Sequence, residues 1–325
     1  MDGISEYNQQ YSNKINHLIK ENNILKDFYH YISYSASIST CYTYLSYISK
    51  FLNNINKPVE KLSFSDFNSF MSKFSTGNQK YTSSYRIVIY QSLKKFGDYL
   101  VAAEIISNNP MEKIPRPSLK ESQETIMKRE AGYLDYNSGE IKQYIENVLN
   151  EYGDSPWKIR NLSIIMIFIS TGIRASALYK LDVSSIDFED GTLITTEKES
   201  KVVKKRLSKQ VLEYLSLWII EREKILNEIQ EDALFISNQK RRISNHAVSN
   251  IIKKYCYNIN GKMLSPHKLR ATYGTYLYDQ TKDIYFVQQC MGHSMPKVTE
   301  KYIRGVKNKH ESQSEALIEN LLSKI

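Results

Sequence analysis

Asn109-Pro110, Pro115 and Pro117 fall within nine residues. Each proline fixes its φ angle and removes an amide donor, so no regular element is expected to tolerate the cluster. A chain interrupted in this way folds as two bodies, one on either side of the break. The linker is placed at 107–129, because the charged and poorly hydrophobic stretch after Pro117 continues to Arg129. At 325 residues the chain is long enough for each body to bury its own core.

Upstream of the break, residues 1–23 read as a polar, Asn-rich N-terminal extension with a weakly amphipathic stretch at Ile15, Leu18 and Ile19. Residues 24–106 carry helical patterning throughout. Ser39-Thr40 precede Tyr44, Leu45, Tyr47, Ile48, Phe51 and Leu52, which recur at spacings of three and four. Ser63-Phe64-Ser65-Asp66 caps a helix bearing Phe67, Phe70, Met71 and Phe74. Beyond Thr76-Gly77-Asn78 a third long helix runs through Ile87, Ile89, Tyr90, Leu93, Phe96, Tyr99 and Leu100. The expectation is a small all-helical bundle.

Downstream, a second domain is expected over 130–310. Ser138-Gly139-Glu140 starts a helix, and Ile159 to Ser170 forms a strongly apolar one that stops at Gly172. Phe188-Glu189-Asp190-Gly191-Thr192 reads as a hairpin turn, with Asp-Gly supplying positive φ angles. Strands are expected at about 184–188, 192–197 and 202–207, which puts Lys198 and Lys201 at a strand tip. Helices follow at Lys209–Ile229, His246–Tyr255, His267–Gln280 and Asp283–Met291. Residues 311–325, with Leu317, Ile318, Leu321 and Leu322, read as an amphipathic C-terminal helix. The fold class is therefore mainly α with one small antiparallel β-sheet.

The formal net charge of +9 predicts attraction to polyanions, with nucleic acid the leading candidate and a membrane surface the lesser. No apolar run approaches the length of a membrane span, and the N-terminus lacks the layout of a signal peptide. Cys41, Cys256 and Cys290 are odd in number and widely spaced, which argues for reduced thiols, a cytoplasmic location and no structural zinc.

The chemistry concentrates near the C-terminus. Ser265-Pro266-His267-Lys268-Leu269-Arg270 is followed by Gly292-His293-Ser294 and then by Tyr302; upstream stands Thr171-Gly172-Ile173-Arg174. His267 and Arg270 lie three apart behind a helix start and share one helix face. Two histidines, two arginines and a tyrosine suit one task, holding a phosphodiester while a phenolic oxygen attacks it. Taken singly, each motif has a plainer reading: a His-x-x-Arg pair is more often a surface pair, and lysines at a hairpin tip are usually just solvated. The joint arrangement is what carries the argument.

In that arrangement the chain resembles the tyrosine recombinases of the phage-integrase family, of the Xer-like two-domain type. The resemblance rests on Thr171-Gly172-Ile173-Arg174, His267-Lys268-Leu269-Arg270, Met291-Gly292-His293 and Tyr302 nine residues later. It covers the whole second domain and extends more weakly to the N-terminal bundle, through Ser39-Thr40 and Asn109-Pro110. It implies an N-terminal helical core-binding (SAM-like) bundle followed by a tyrosine-recombinase catalytic domain. Arg174 and Arg270 would clamp the phosphate, since each guanidinium offers a planar fork of permanent charge. His293 would add a donor to a nonbridging oxygen, and His267 would bond the phosphate or assist proton movement at the tyrosine. Tyr302 would be the nucleophile. Lys198 would protonate the leaving 5′ oxygen, with Lys201 the alternative on the same tip.

The resemblance further implies double-stranded DNA as partner, a homo-tetramer on synapsed sites, accessory DNA-bending proteins as further partners, no membrane and no cofactor. The tail 311–325 has two destinations open, its own domain or the neighbouring protomer, and the resemblance favours the second. Lys80, Arg86, Lys94-Lys95 and Lys240-Arg241-Arg242 are candidate phosphate contacts. One position departs from the pattern: the family usually carries Glu or Asp three residues after the first arginine, where this chain has Ala177. Asp182 is the neighbouring acid that could stand in for it. Two other activities share these features, a type IB topoisomerase and a catalytically weakened DNA-binding protein.

Overall fold

A computed structural model of the chain describes residues 3–55, 57–74, 81–118, 133–135, 138–151, 153, 155–196 and 202–292. The chain divides into two compact units, Met1–Gln123 and Glu124–Ile325.

The first unit is helical: α1 Gly3–Ile19, α2 Asn23–Ser33, α3 Ile38–Asn54, α4 Phe64–Ser72 and α5 Ser83–Ala102. Short polar side chains start these helices by satisfying orphan amides. Asn22 accepts from Leu25 N, Thr82 accepts from Tyr85 N, and Ser63 forms a reciprocal box with Asp66. Ser37, two residues before the expected Ser39, caps α3 by accepting from Thr40 N. Ser39 and Thr40 fall inside the first turn, where their hydroxyls bond Ser37 Oγ.

The apolar faces meet in a core of Leu25, Phe28, Ile32, Leu45, Ile48, Phe51, Phe67, Leu93 and Phe96. Phe51 lies 4.7 Å from Phe67 and 5.2 Å from Phe70, ring centre to ring centre.

Two expectations about the edges of this unit change. The segment read as a polar extension contributes α1, which packs on α3 and buries Ile15 completely. Its apolar stripe is short, but α3 offers a matching face. The start of the expected linker is also part of the core. Pro110–Lys113 forms a 3₁₀ turn with Met111 fully buried, and Ile114 follows it into the interior. Pro110 is tolerated because it occupies the first position, where no amide donor is needed. Asn109 holds the turn, accepting from Met111 N at 2.9 Å and donating to Lys94 O at 3.0 Å and Asp98 Oδ1 at 2.7 Å. A Cβ on Gly97 would lie 2.0 Å from Asn109 Oδ1, so only glycine leaves room for this contact.

The second unit is built around one helix. It contains α6 Glu140–Leu149, α7 Pro156–Thr171, α8 Ala175–Leu178, β1 Ile186–Asp187, β2 Thr192–Thr196, β3 Val202–Arg206, α9 Lys209–Leu226, α10 Asn245–Lys254, α11 Pro266–Thr281 and α12 Ile284–Met291. Helix α7 is buried on all sides from Arg160 to Phe168, with Leu162, Ile164, Ile165, Ile167 and Phe168 forming its apolar surface. Helices α6, α9, α10 and α11 pack against it.

The three strands form an antiparallel sheet in the order β1-β2-β3. In the first turn Asp187 accepts from Asp190 N, so only Gly191 adopts a positive φ, of 62°, and not the Asp-Gly pair. Helix α9 stops three residues before the expected Ile229, because Asn227 turns to a φ of 58°. Among the described residues no helix is long and apolar enough to cross a membrane.

Candidate active site

Helix α11 begins with Ser265, whose side chain accepts from Lys268 N, and Pro266 at the first turn. His267 comes next and is exposed, whereas Arg270, one turn on, is only 3% exposed. The two share a helix side, as their spacing predicts, but at different depths.

The Arg270 guanidinium joins two helix ends. Nη1 donates to Gly172 O at 2.5 Å, just past the end of α7, and Nη2 donates to Met291 O, the last residue of α12. Carbonyls at helix C-termini lack intrahelical partners and carry partial negative charge, so a buried cation is well placed there. Two of the five guanidinium N–H donors serve these carbonyls.

Each helix end leads directly into another predicted site residue. After Gly172, Ile173 is fully buried and Arg174, half-buried, opens α8 as its N-cap. Gly172 has a φ of 59°, and a Cβ there would lie 2.2 Å from Tyr273 Cδ1. Both the turn and the ring of Tyr273 therefore require glycine. After Met291, Gly292 closes α12 with a φ of 62°, and His293 is the next residue. Arg270 thus fixes the backbone two residues before Arg174 and two residues before His293.

His293, Tyr302, Lys198 and Lys201 lie outside the described residues, as do Lys80 and the tail 311–325. Strands β2 and β3 pair up to Thr196 opposite Val202, the last described residue before positions 197–201 and the first after them. The Tyr273 phenol is pushed up to about 12 by burial and the adjacent Cys290 thiol, against the pull of Arg270. Its ring packs against Gly172.

Two expectations are corrected. Asp182 does not stand in for the missing acid, because its carboxylate accepts from Arg242 Nη2. Arg242 also donates to the carbonyls of Tyr179 and Leu181, which commits it to the protein and removes it from the candidate phosphate contacts. Ala177 is fully buried.

One residue escaped the sequence reading. Lys205, on β3, donates through Nζ to the carbonyl of Cys290 in the last turn of α12. The signal was available: β3 alternates exposed and half-buried positions, and Lys205 falls on the inner face in phase with Val203.

The phage integrase family model matches residues 138–309. Tyrosine recombinase XerC of Serratia marcescens is 29% identical over 218 residues, 65% of this chain and 65% of the relative. XerC of Caldanaerobacter subterraneus subsp. tengcongensis is 29% identical over 250 residues, 75% of this chain and 65% of the relative. The matches therefore span just under two thirds of these relatives' own length.

Among solved structures, the XerH site-specific recombinase bound to palindromic difH substrate, a post-cleavage complex, has a TM-score of 0.66 at 19% identity. It covers 85% of this chain and 78% of XerH. A lambda integrase (75–356) dimer bound to a COC′ core site has a TM-score of 0.64 at 16% identity, covering 87% of this chain and 95% of the integrase. At these identities the likeness is one of fold.

Proposed function

Because this chain belongs to the phage integrase family, we propose that it is a site-specific tyrosine recombinase, cutting and rejoining DNA through a 3′-phosphotyrosyl intermediate at Tyr302. The observation that carries this reading is the pair of bonds from Arg270 to Gly172 O and Met291 O, which joins three of the four motifs.

In the proposed reaction the Tyr302 oxygen attacks phosphorus and the bond to the 5′ oxygen breaks. Arg174 and Arg270 neutralise the nonbridging oxygens as negative charge builds, and His293 donates a further hydrogen bond. His267 assists the loss of the phenolic proton. The departing 5′ oxygen takes a proton from Lys198, with Lys201 the alternative donor. A free 5′-hydroxyl then attacks the phosphotyrosyl bond and returns the phenol. The bond energy is kept in the covalent intermediate, so this cycle consumes no nucleotide.

Double-stranded DNA is the proposed partner, and the +9 charge suits it. A homo-tetramer on two synapsed sites is the proposed assembly. A lambda integrase tetramer bound to a Holliday junction, with a TM-score of 0.64 to this chain, supports it. The tail 311–325 is proposed to dock on the neighbouring protomer, and the work of the protein is proposed to be the movement or resolution of a DNA element in the cytoplasm. Buried Ala177, together with the engagement of Asp182 by Arg242, favours a second reading in which cleavage is weakened.

Incubation with a nicked suicide duplex separates these readings. The recombinase yields a covalent protein–DNA adduct, and Tyr302→Phe abolishes it while retaining duplex binding. Absence of any adduct from the unaltered protein, or equal adduct from the variant, overturns the assignment. Relaxation of supercoiled plasmid without a recombinant product would instead indicate a topoisomerase.

A further inference from the structure

Helix α12 leaves four C-terminal carbonyls without intrahelical partners, those of Gln288, Gln289, Cys290 and Met291. All four are accounted for. The amide of Gly292 serves Gln288 and Gln289, Arg270 from α11 serves Met291, and Lys205 from β3 serves Cys290. The helix end that leads into His293 is therefore held by cations from two other elements.

Lys205 is the unusual member. It pairs across the sheet with Leu193, which is fully buried, and it sits three positions beyond the start of the strand that leaves the hairpin tip. An ammonium at a helix C-terminus is favoured by the local partial charge and makes a charge-assisted bond to the carbonyl. That bond ties β3 to the last turn of α12.

We propose that Lys205 is a positioning residue that couples the β2–β3 hairpin to the end of α12, and so sets where the hairpin lysine meets the leaving 5′ oxygen. The inference rests on the recombinase reading. Lys205 touches no reacting atom; it acts through the hairpin. Its loss leaves the bonds of Arg270 to Gly172 O and Met291 O in place while freeing β3, and with it the proton donor.

The test uses the full chain and two suicide duplexes, one with an ordinary phosphodiester and one with sulfur in place of the bridging 5′ oxygen. A thiolate leaves without a proton, so the second substrate does not need the acid. Lys205→Met, which keeps the stem and loses the donor, is expected to slow ordinary cleavage roughly 10- to 100-fold, part of the 10²–10⁴ a general acid contributes. On the sulfur substrate it is expected to cleave within about two-fold of the unaltered protein. Lys205→Arg is expected to restore ordinary cleavage to within about three-fold, because a guanidinium bonds the carbonyl but does not give up its proton. Lys198→Ala combined with Lys205→Met is expected to be no slower than Lys198→Ala alone.

Equal slowing on both substrates overturns the proposal, as does an Arg variant as slow as Met, or no effect of Met at all. Melting curves and duplex binding identify a variant that fails to fold, and Lys205→Leu, which also removes the donor, then supplies the same comparison. If the unaltered protein forms no adduct with either duplex, the recombinase reading itself fails, an outcome distinct from any above.

Discussion

Arg270 Nη1 donates to the carbonyl oxygen of Gly172 at 2.5 Å, so the side chain of one motif holds the turn that presents the arginine of another. Positions 172 and 270 lie far apart in the chain, yet Arg174 reaches its place only if Arg270 is in its own. The arginine is therefore expected to serve two purposes, maintaining the turn and binding phosphate.

Replacing Arg270 with lysine separates those purposes. A single ammonium keeps the charge but does not span both Gly172 O and Met291 O as the guanidinium fork does. Arg270→Lys should lose about 1–3 kcal/mol of stability, the cost of leaving a buried carbonyl unpaired. It should also lose roughly 10²–10³-fold in cleavage, as for removal of one transition-state donor. Chemical denaturation and single-turnover adduct formation measure the two effects; an unchanged midpoint would show that the carbonyl bonds contribute nothing.

Gly172 and Gly139 provide a controlled pair. Both have positive φ, 59° and 77°, but a Cβ at 172 meets the ring of Tyr273 whereas one at 139 meets nothing within 4 Å. Gly139→Ala should cost about 1–2 kcal/mol for the backbone alone. Gly172→Ala should cost roughly 1–3 kcal/mol more, because the ring must move. Equal losses in denaturant unfolding would show that the crowding at Tyr273 relaxes freely.

Glu140 gives a pH signature. Burial pushes its carboxyl up, but bonds from Lys262, the Asp135 amide and Asn260, with the charge of Lys262, outweigh burial and hold it below the ordinary carboxylate value. A depressed folded value means that the stabilisation is present above the ordinary carboxylate pKa and is lost as pH falls through the folded one. Glu140→Gln should therefore melt below the unaltered protein at neutral pH, with the gap closing under acid conditions. Melting curves from neutral pH downward test this, and a gap independent of pH would exclude the ion pair as its origin.

Lys198 and Lys201 are separated by rate. Lys198→Ala should reduce cleavage of an ordinary phosphodiester by roughly 10²–10⁴-fold, the contribution of a general acid, with Lys201→Ala reducing it far less. The opposite order in single-turnover assays would move the acid role to Lys201.

Much of the architecture was legible because its signals are local. Ser63 and Asp66 stand three apart and form the box they suggest, and Gly172 stops α7 where the apolar run ends. The sheet follows the alternation around Asp190-Gly191 within a residue or two. What escaped is non-local. Ile15 is buried because α3 supplies a face for it, and nothing in residues 1–23 announces that partner. Asp182 is drawn to Arg242, sixty positions away, so its proximity in sequence to Arg174 misled. Within the site, Arg174, His267 and Arg270 occupy the helix ends and turns their motifs suggest. Lys205 was passed over because strand lysines usually face solvent.

The contact between Gly97 and Asn109 reaches further than its size suggests. A hydrogen atom at position 97 opens the notch in which the asparagine amide seats, and that seat directs the main chain into the Pro110 turn. A larger substituent there must displace that amide and its bonds to Met111 N, Lys94 O and Asp98 Oδ1. The turn that closes the helical unit after α5 thus depends on the smallest side chain available.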